Sequence, residues 1–77
     1  MEVNVKLVST FAKYRGNLAN DKATVKEGSV IRDLAKKVGL PSKLVRLVFI
    51  NGKQVDLDTP LSEGDTVFFL PPALGGG

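Results

Sequence analysis

The feature that most constrains this chain is an apolar run that stops on a two-residue turn signal. Arg46-Leu47-Val48-Phe49-Ile50 is rich in β-branched and aromatic side chains, and Asn51-Gly52 follows it directly. A type I′ turn needs positive φ at both central positions, and Asn-Gly meets that need at little steric cost. Lys53-Gln54-Val55 is therefore expected to return as a short antiparallel strand.

Two other strands show themselves by pattern. Val3-Asn4-Val5-Lys6-Leu7 alternates apolar and polar, which predicts a half-buried strand with Val3, Val5 and Leu7 inward. Thr66-Val67-Phe68-Phe69-Leu70 is a further strand, stopped by Pro71-Pro72. A weaker strand is expected around Ala23-Thr24-Val25-Lys26. Phe11 and Tyr14, three apart, fit one helical turn or a packed loop, with a break at Arg15-Gly16-Asn17. Thr59-Pro60 and Glu63-Gly64-Asp65 are turn chemistry on either side of Leu61, a candidate core residue.

The helix is predicted over about 30–38. Val30, Ile31, Leu34, Ala35 and Val38 make one apolar stripe, and Arg32, Asp33, Lys36 and Lys37 take the other face. Ser29 is the expected N-cap, and Gly39 stands where a left-handed residue ends a helix. Asp33 near the start and Lys36-Lys37 near the end match the helix dipole. The order β-β-α-β-β-β predicts an α+β domain with one helix across a sheet face.

Composition narrows the chemistry. The 77 residues contain no cysteine and no histidine, so no disulfide, no thiolate or imidazole metal site and no cysteine nucleophile can form. No metal site is predicted and no cofactor is expected to be bound. Eleven Lys and Arg against eight Asp and Glu give +3. That charge is spread along the chain, so it reads as solvated surface rather than a nucleic-acid footprint. No apolar run nears the ~18–20 residues of a membrane span, and the first residues lack signal-peptide features, so a cytoplasmic location is expected.

The end of the chain is the most unusual stretch: Pro71-Pro72-Ala73-Leu74-Gly75-Gly76-Gly77. Diproline holds the backbone extended, so the tail could project about 20 Å. Glycines without Cβ can enter a passage too narrow for other residues. The organisation expected is a domain over 1–70 and an extended, flexible tail over 71–77.

Four pieces carry a family likeness. They are Val5-Lys6-Leu7 leading to Phe11-Ala12-Lys13-Tyr14-Arg15-Gly16, the helix start Gly28-Ser29-Val30-Ile31-Arg32-Asp33-Leu34, the turn Ile50-Asn51-Gly52-Lys53, and the close from Leu61 through Gly64-Asp65 and Pro71-Pro72 to the glycines. The chain resembles the ubiquitin-like sulfur carriers: the small subunit of molybdopterin synthase, the thiamine-pathway carrier and archaeal small modifier proteins. Arg46-Leu47-Val48-Phe49 with Gly52-Lys53-Gln54 is also similar to ubiquitin. The resemblance implies a β-grasp fold, a mixed sheet of four to five strands on one main helix. It implies that Gly77 is adenylated with ATP by a ubiquitin-activating-type enzyme and converted to a thiocarboxylate. The chain would then be a stoichiometric carrier rather than an enzyme. One departure stands out: family tails end in two glycines after another residue, whereas Gly75 is glycine here.

A partner surface is expected beside the tail. If Val67 and Phe69 face the core, Phe68 and Leu70 face outward; the same reading puts Leu47 and Phe49 inward and Val48 outward. By resemblance, Val48 aligns with the residue at the centre of ubiquitin's apolar recognition patch. Val48, Phe68, Leu70, Leu74 and Arg46 are the candidate contacts, with Lys43 and Lys53 at the rim. The expected partners are the activating enzyme and the molybdopterin synthase large subunit or another sulfur acceptor. Alternatives are conjugation to protein lysines, a carrier for thiamine or tRNA thiolation, and an RNA-contacting β-grasp module.

Overall fold

The computed structural model describes residues 1–71. The strands are β1 (Glu2–Leu7), β2 (Lys22–Thr24), β3 (Leu47–Ile50), β4 (Lys53–Val55) and β5 (Thr66–Leu70), and the helix is α1 (Ile31–Val38). Two 3-10 segments, Ser9–Asn17 and Ser42–Leu44, join them. The five strands form one mixed sheet in the order β2-β1-β5-β3-β4. β1 and β5 run parallel at the centre, and every other pair is antiparallel. This is the expected β-grasp.

Alternation decides what the sheet buries. Val3, Val5 and Leu7 of β1, Val67 and Phe69 of β5, and Val48 of β3 face Ile31, Leu34, Ala35 and Val38 of the helix. Phe11 closes one end of this core and Leu61 plugs the connector before β5. Burying each of the larger of these side chains stabilises the fold by roughly 1.5–3 kcal/mol. No buried side-chain polar atom is left without a partner among the described residues.

Both ends of the helix are tied down, but not as Ser29 suggested. The N-cap residue is Val30, and its amide donates to the Asp33 carboxylate at 3.0 Å. The next two amides, of Ile31 and Arg32, donate to the carbonyls of Thr59 and Leu57 at 3.0 and 2.8 Å. The β4–β5 connector thus supplies acceptors that a capping hydroxyl would otherwise provide. Ser29 works through its backbone, its carbonyl accepting from Leu61 at 2.9 Å. At the other end Gly39 has φ +91°, the left-handed geometry expected of it. The Asn17 side-chain amide donates to the Val38 carbonyl at 2.7 Å, fixing the first 3-10 segment to the helix terminus.

Asn51 and Gly52 have φ of +52° and +86°, as a type I′ turn demands. A second turn of this kind lies at Asn20-Asp21, φ +55° and +59°, closed by the Lys22 amide on the Ala19 carbonyl at 3.0 Å. β2 starts directly after it at Lys22 and ends at Thr24, short of the expected Lys26; Val25 beyond it is buried, its amide donating to the Met1 carbonyl at 2.8 Å.

Candidate functional site: an open sheet face beside the tail

The helix covers one face of the sheet and leaves the other open. Register places Leu47 opposite Leu70 and Phe49 opposite Phe68, so these four side chains share the open face across β3 and β5. None of them is buried, and Leu47 is 39 % exposed. On the β1 side Lys6 stands next to Phe68, and on the β4 side Gln54 stands opposite Phe49. The far half of the face is polar, with Asn4 beside Lys22 and a Glu2–Lys22 ion pair at 3.9 Å. The face is therefore an apolar patch with a polar, partly cationic flank.

Phe68 and Leu70 lie where alternation predicted. Val48 does not: it is 3 % exposed and lies opposite both Phe69 and Val55 on the helix side. Directly paired residues point to the same side of a sheet. Once Phe69 is inward, Val48 must be inward and Leu47 and Phe49 outward. The run Leu47–Ile50 is apolar at every position, so it carries no alternation from which its own parity could be read. The patch is thus centred on Phe49 and Phe68, with Leu47 and Leu70 beside them.

The cations also fall differently from expectation. Arg46 is exposed at the entry to β3, its amide 3.4 Å from the Leu70 carbonyl, and it lines a hollow at the β4 edge with Val45, Val55 and Leu57. Lys53 lies opposite Ile50, which is itself opposite Val67, and so belongs to the helix side of the edge. Lys43 is exposed in the second 3-10 segment. The cation that stands beside the apolar patch on the open face is Lys6, turned outward by the alternation of β1 and set next to Phe68 by the pairing of β1 with β5. It lines a hollow of about 210 Å³ together with Val8, Arg15, Asp21 and Phe68. Arg15 and Asp21 form an ion pair across it at 3.3 Å.

Because β5 ends at Leu70, the chain leaves the sheet from the patch itself, through the half-buried Pro71. Pro72, Leu74, Gly75, Gly76 and Gly77 lie outside the described residues. Among the described residues no cluster of acidic side chains could hold a metal ion, and no helix is long and apolar enough to cross a membrane.

A mixed five-stranded sheet on one helix, with an open apolar face at the end of its last strand, defines a ubiquitin-like protein of the β-grasp class. The model of the ThiS family matches residues 5–76, and the chain belongs to that family of ubiquitin-like sulfur carriers. Among solved structures, SAMP1 from Haloferax volcanii is similar with a TM-score of 0.72 at 21% identity, covering 99% of this chain and 100% of that one. A protein from Pyrococcus furiosus described as molybdopterin converting factor, subunit 1, is similar with a TM-score of 0.72 at 26% identity, covering 95% and 99%. No curated protein sequence matches the chain.

Proposed function

We propose that this protein carries sulfur as a thiocarboxylate on Gly77 and delivers it as the small subunit of a molybdopterin synthase. The observation that carries the reading is the family match, which runs through the last strand and into the glycines to residue 76. The likeness to the Pyrococcus subunit supports the choice of acceptor.

The chemistry follows from what the chain lacks. A carboxylate is a poor electrophile, and with no cysteine or histidine the protein has no thiol nucleophile or imidazole base to bring to its own end. An activating partner must supply ATP. The Gly77 carboxylate attacks the α-phosphorus, pyrophosphate leaves, and an acyl adenylate forms. A sulfide-level donor held by a partner then attacks the acyl carbon, AMP leaves, and the carboxylate has exchanged one oxygen for sulfur. The role left to this chain is docking. The patch of Leu47, Phe49, Phe68 and Leu70 gives a partner apolar surface, and the tail starts at its border.

The test begins with chain already converted to the thiocarboxylate. Mixed with a molybdopterin synthase large subunit and its pterin precursor, it should yield a dithiolene-bearing pterin and return to the carboxylate. No product in that mixture, with adducts forming on lysines of other proteins instead, would move the assignment to a protein modifier. Sulfur appearing only in a thiazole or in tRNA would move it to the other carrier branches.

A further inference from the structure

Asn51-Gly52 is a turn signal, and it is also a reactive dipeptide. In an open chain the Gly52 amide nitrogen, unhindered by a side chain, can attack the Asn51 side-chain carbonyl carbon. The new carbon–nitrogen bond closes a five-membered imide and ammonia leaves. Water then opens the ring on either side, giving aspartate or isoaspartate at position 51.

In the fold both ends of that side-chain amide are occupied. Its nitrogen donates to Asp65 Oδ1 at 3.1 Å, and its oxygen accepts from the Thr66 amide at 2.9 Å. The Asn51 backbone amide donates to the Thr66 carbonyl at 2.9 Å. Asp65 is itself held, because its Oδ2 accepts from the Ser62 amide at 2.8 Å and its own amide donates to the Ser62 carbonyl at 3.1 Å. The φ of +52° at Asn51 belongs to the closed turn. The reacting carbonyl is thus clamped to the start of β5. Asn51 and Gly52 are exposed, so water is at hand once the clamp opens.

We propose that Asn51 is a deamidation site held closed by Asp65, and that the reaction follows local opening of the β3–β4 hairpin rather than unfolding of the whole chain. The product cannot restore the clamp. An oxygen that accepts from the Thr66 amide survives, but the group that donated to Asp65 becomes a carboxylate oxygen, and two like charges then face each other. Isoaspartate also adds a backbone atom to a turn that has only two residues between its strands. The change is one-way and marks the age of the molecule at the strand that leads to the tail.

The experiment incubates the full chain in mildly alkaline buffer, with and without urea, and follows Asn51 by peptide mass spectrometry. Native protein should convert at least about tenfold more slowly than the same chain in denaturing urea, as protection by a closed structure requires. The rate should begin to rise at urea concentrations below the global transition. An Asp65→Ala chain that remains folded should convert at close to the urea rate without urea. Native protein that converts as fast as unfolded protein overturns the proposal, and so does a rate that rises only with global unfolding. An Asn51→Asp chain serves where Asp65→Ala fails to fold. Its two facing carboxylates repel each other in the fold, so it should lose stability at neutral pH. Unchanged stability at neutral pH would contradict the like-charge clamp.

Discussion

Val48 lies directly opposite Phe69 across β3 and β5, and both are buried beneath the helix. That one pairing turns Leu47, Phe49, Phe68 and Leu70 to the other side, where they form the open patch. It separates neighbours that an apolar run leaves indistinguishable, one packed beneath the helix and one left on the open face.

The separation predicts opposite phenotypes for neighbouring positions. Val48→Ala should cost about 2–3 kcal/mol of stability, as removal of buried methyls does, with adenylation of the folded fraction little changed. Phe68→Glu should shift stability by under about 1 kcal/mol and lower kcat/KM for adenylation by at least about tenfold, because its charge meets an apolar contact on the partner. Chemical denaturation beside an adenylation assay separates the two.

Lys6 should act through association. Lys6→Glu is expected to slow binding to the activating enzyme and to change the salt dependence of that rate, since charges at an interface rim steer encounter. Stopped-flow binding across a salt series reads both; an unchanged on-rate at low salt would remove Lys6 from the docking face.

At the helix start, Asp33→Ala should cost about 1 kcal/mol, because the Val30 amide loses its acceptor and the first turn its negative charge. Ser29→Ala should cost clearly less, since Ser29 contributes backbone bonds that alanine keeps. Paired denaturation curves check the order.

Gly39→Ala should also destabilise, by about 1–2 kcal/mol, for a different reason. A φ of +91° is strained for any side chain, and the added Cβ would sit 3.4 Å from Asn17 Nδ2. Asn17→Ala should cost about 1 kcal/mol by leaving the Val38 carbonyl without its partner.

Much of this could be read in the residues. Period two in Val3–Leu7 located β1 and its buried side, the apolar run before Pro71-Pro72 located β5 without fixing which side it buries, and Asn51-Gly52 located the hairpin. The helix stripe and Gly39 placed α1 to within a residue. What could not be read came from elsewhere in the chain. The acceptors for the helix N-terminus are carbonyls of Leu57 and Thr59, and no local pattern at Ser29 reveals them. Val48 is turned inward by a partner strand about twenty residues away. Asn20-Asp21 has no glycine, so its two positive φ angles carried a weaker signal. Of the candidate site residues, Phe68 and Leu70 stand on the open face; Leu47, Phe49 and Lys6 joined them only through register.

The sharpest measurement is the intact mass of the full chain after incubation with ATP, an activating enzyme of the ubiquitin-activating type and a sulfide donor. Gly77 carrying a thiocarboxylate predicts the mass gain of one oxygen exchanged for sulfur, lost when Gly77 is deleted and impaired by Phe68→Glu. A chain whose mass stays unchanged under conditions that load another ThiS-family carrier would contradict it.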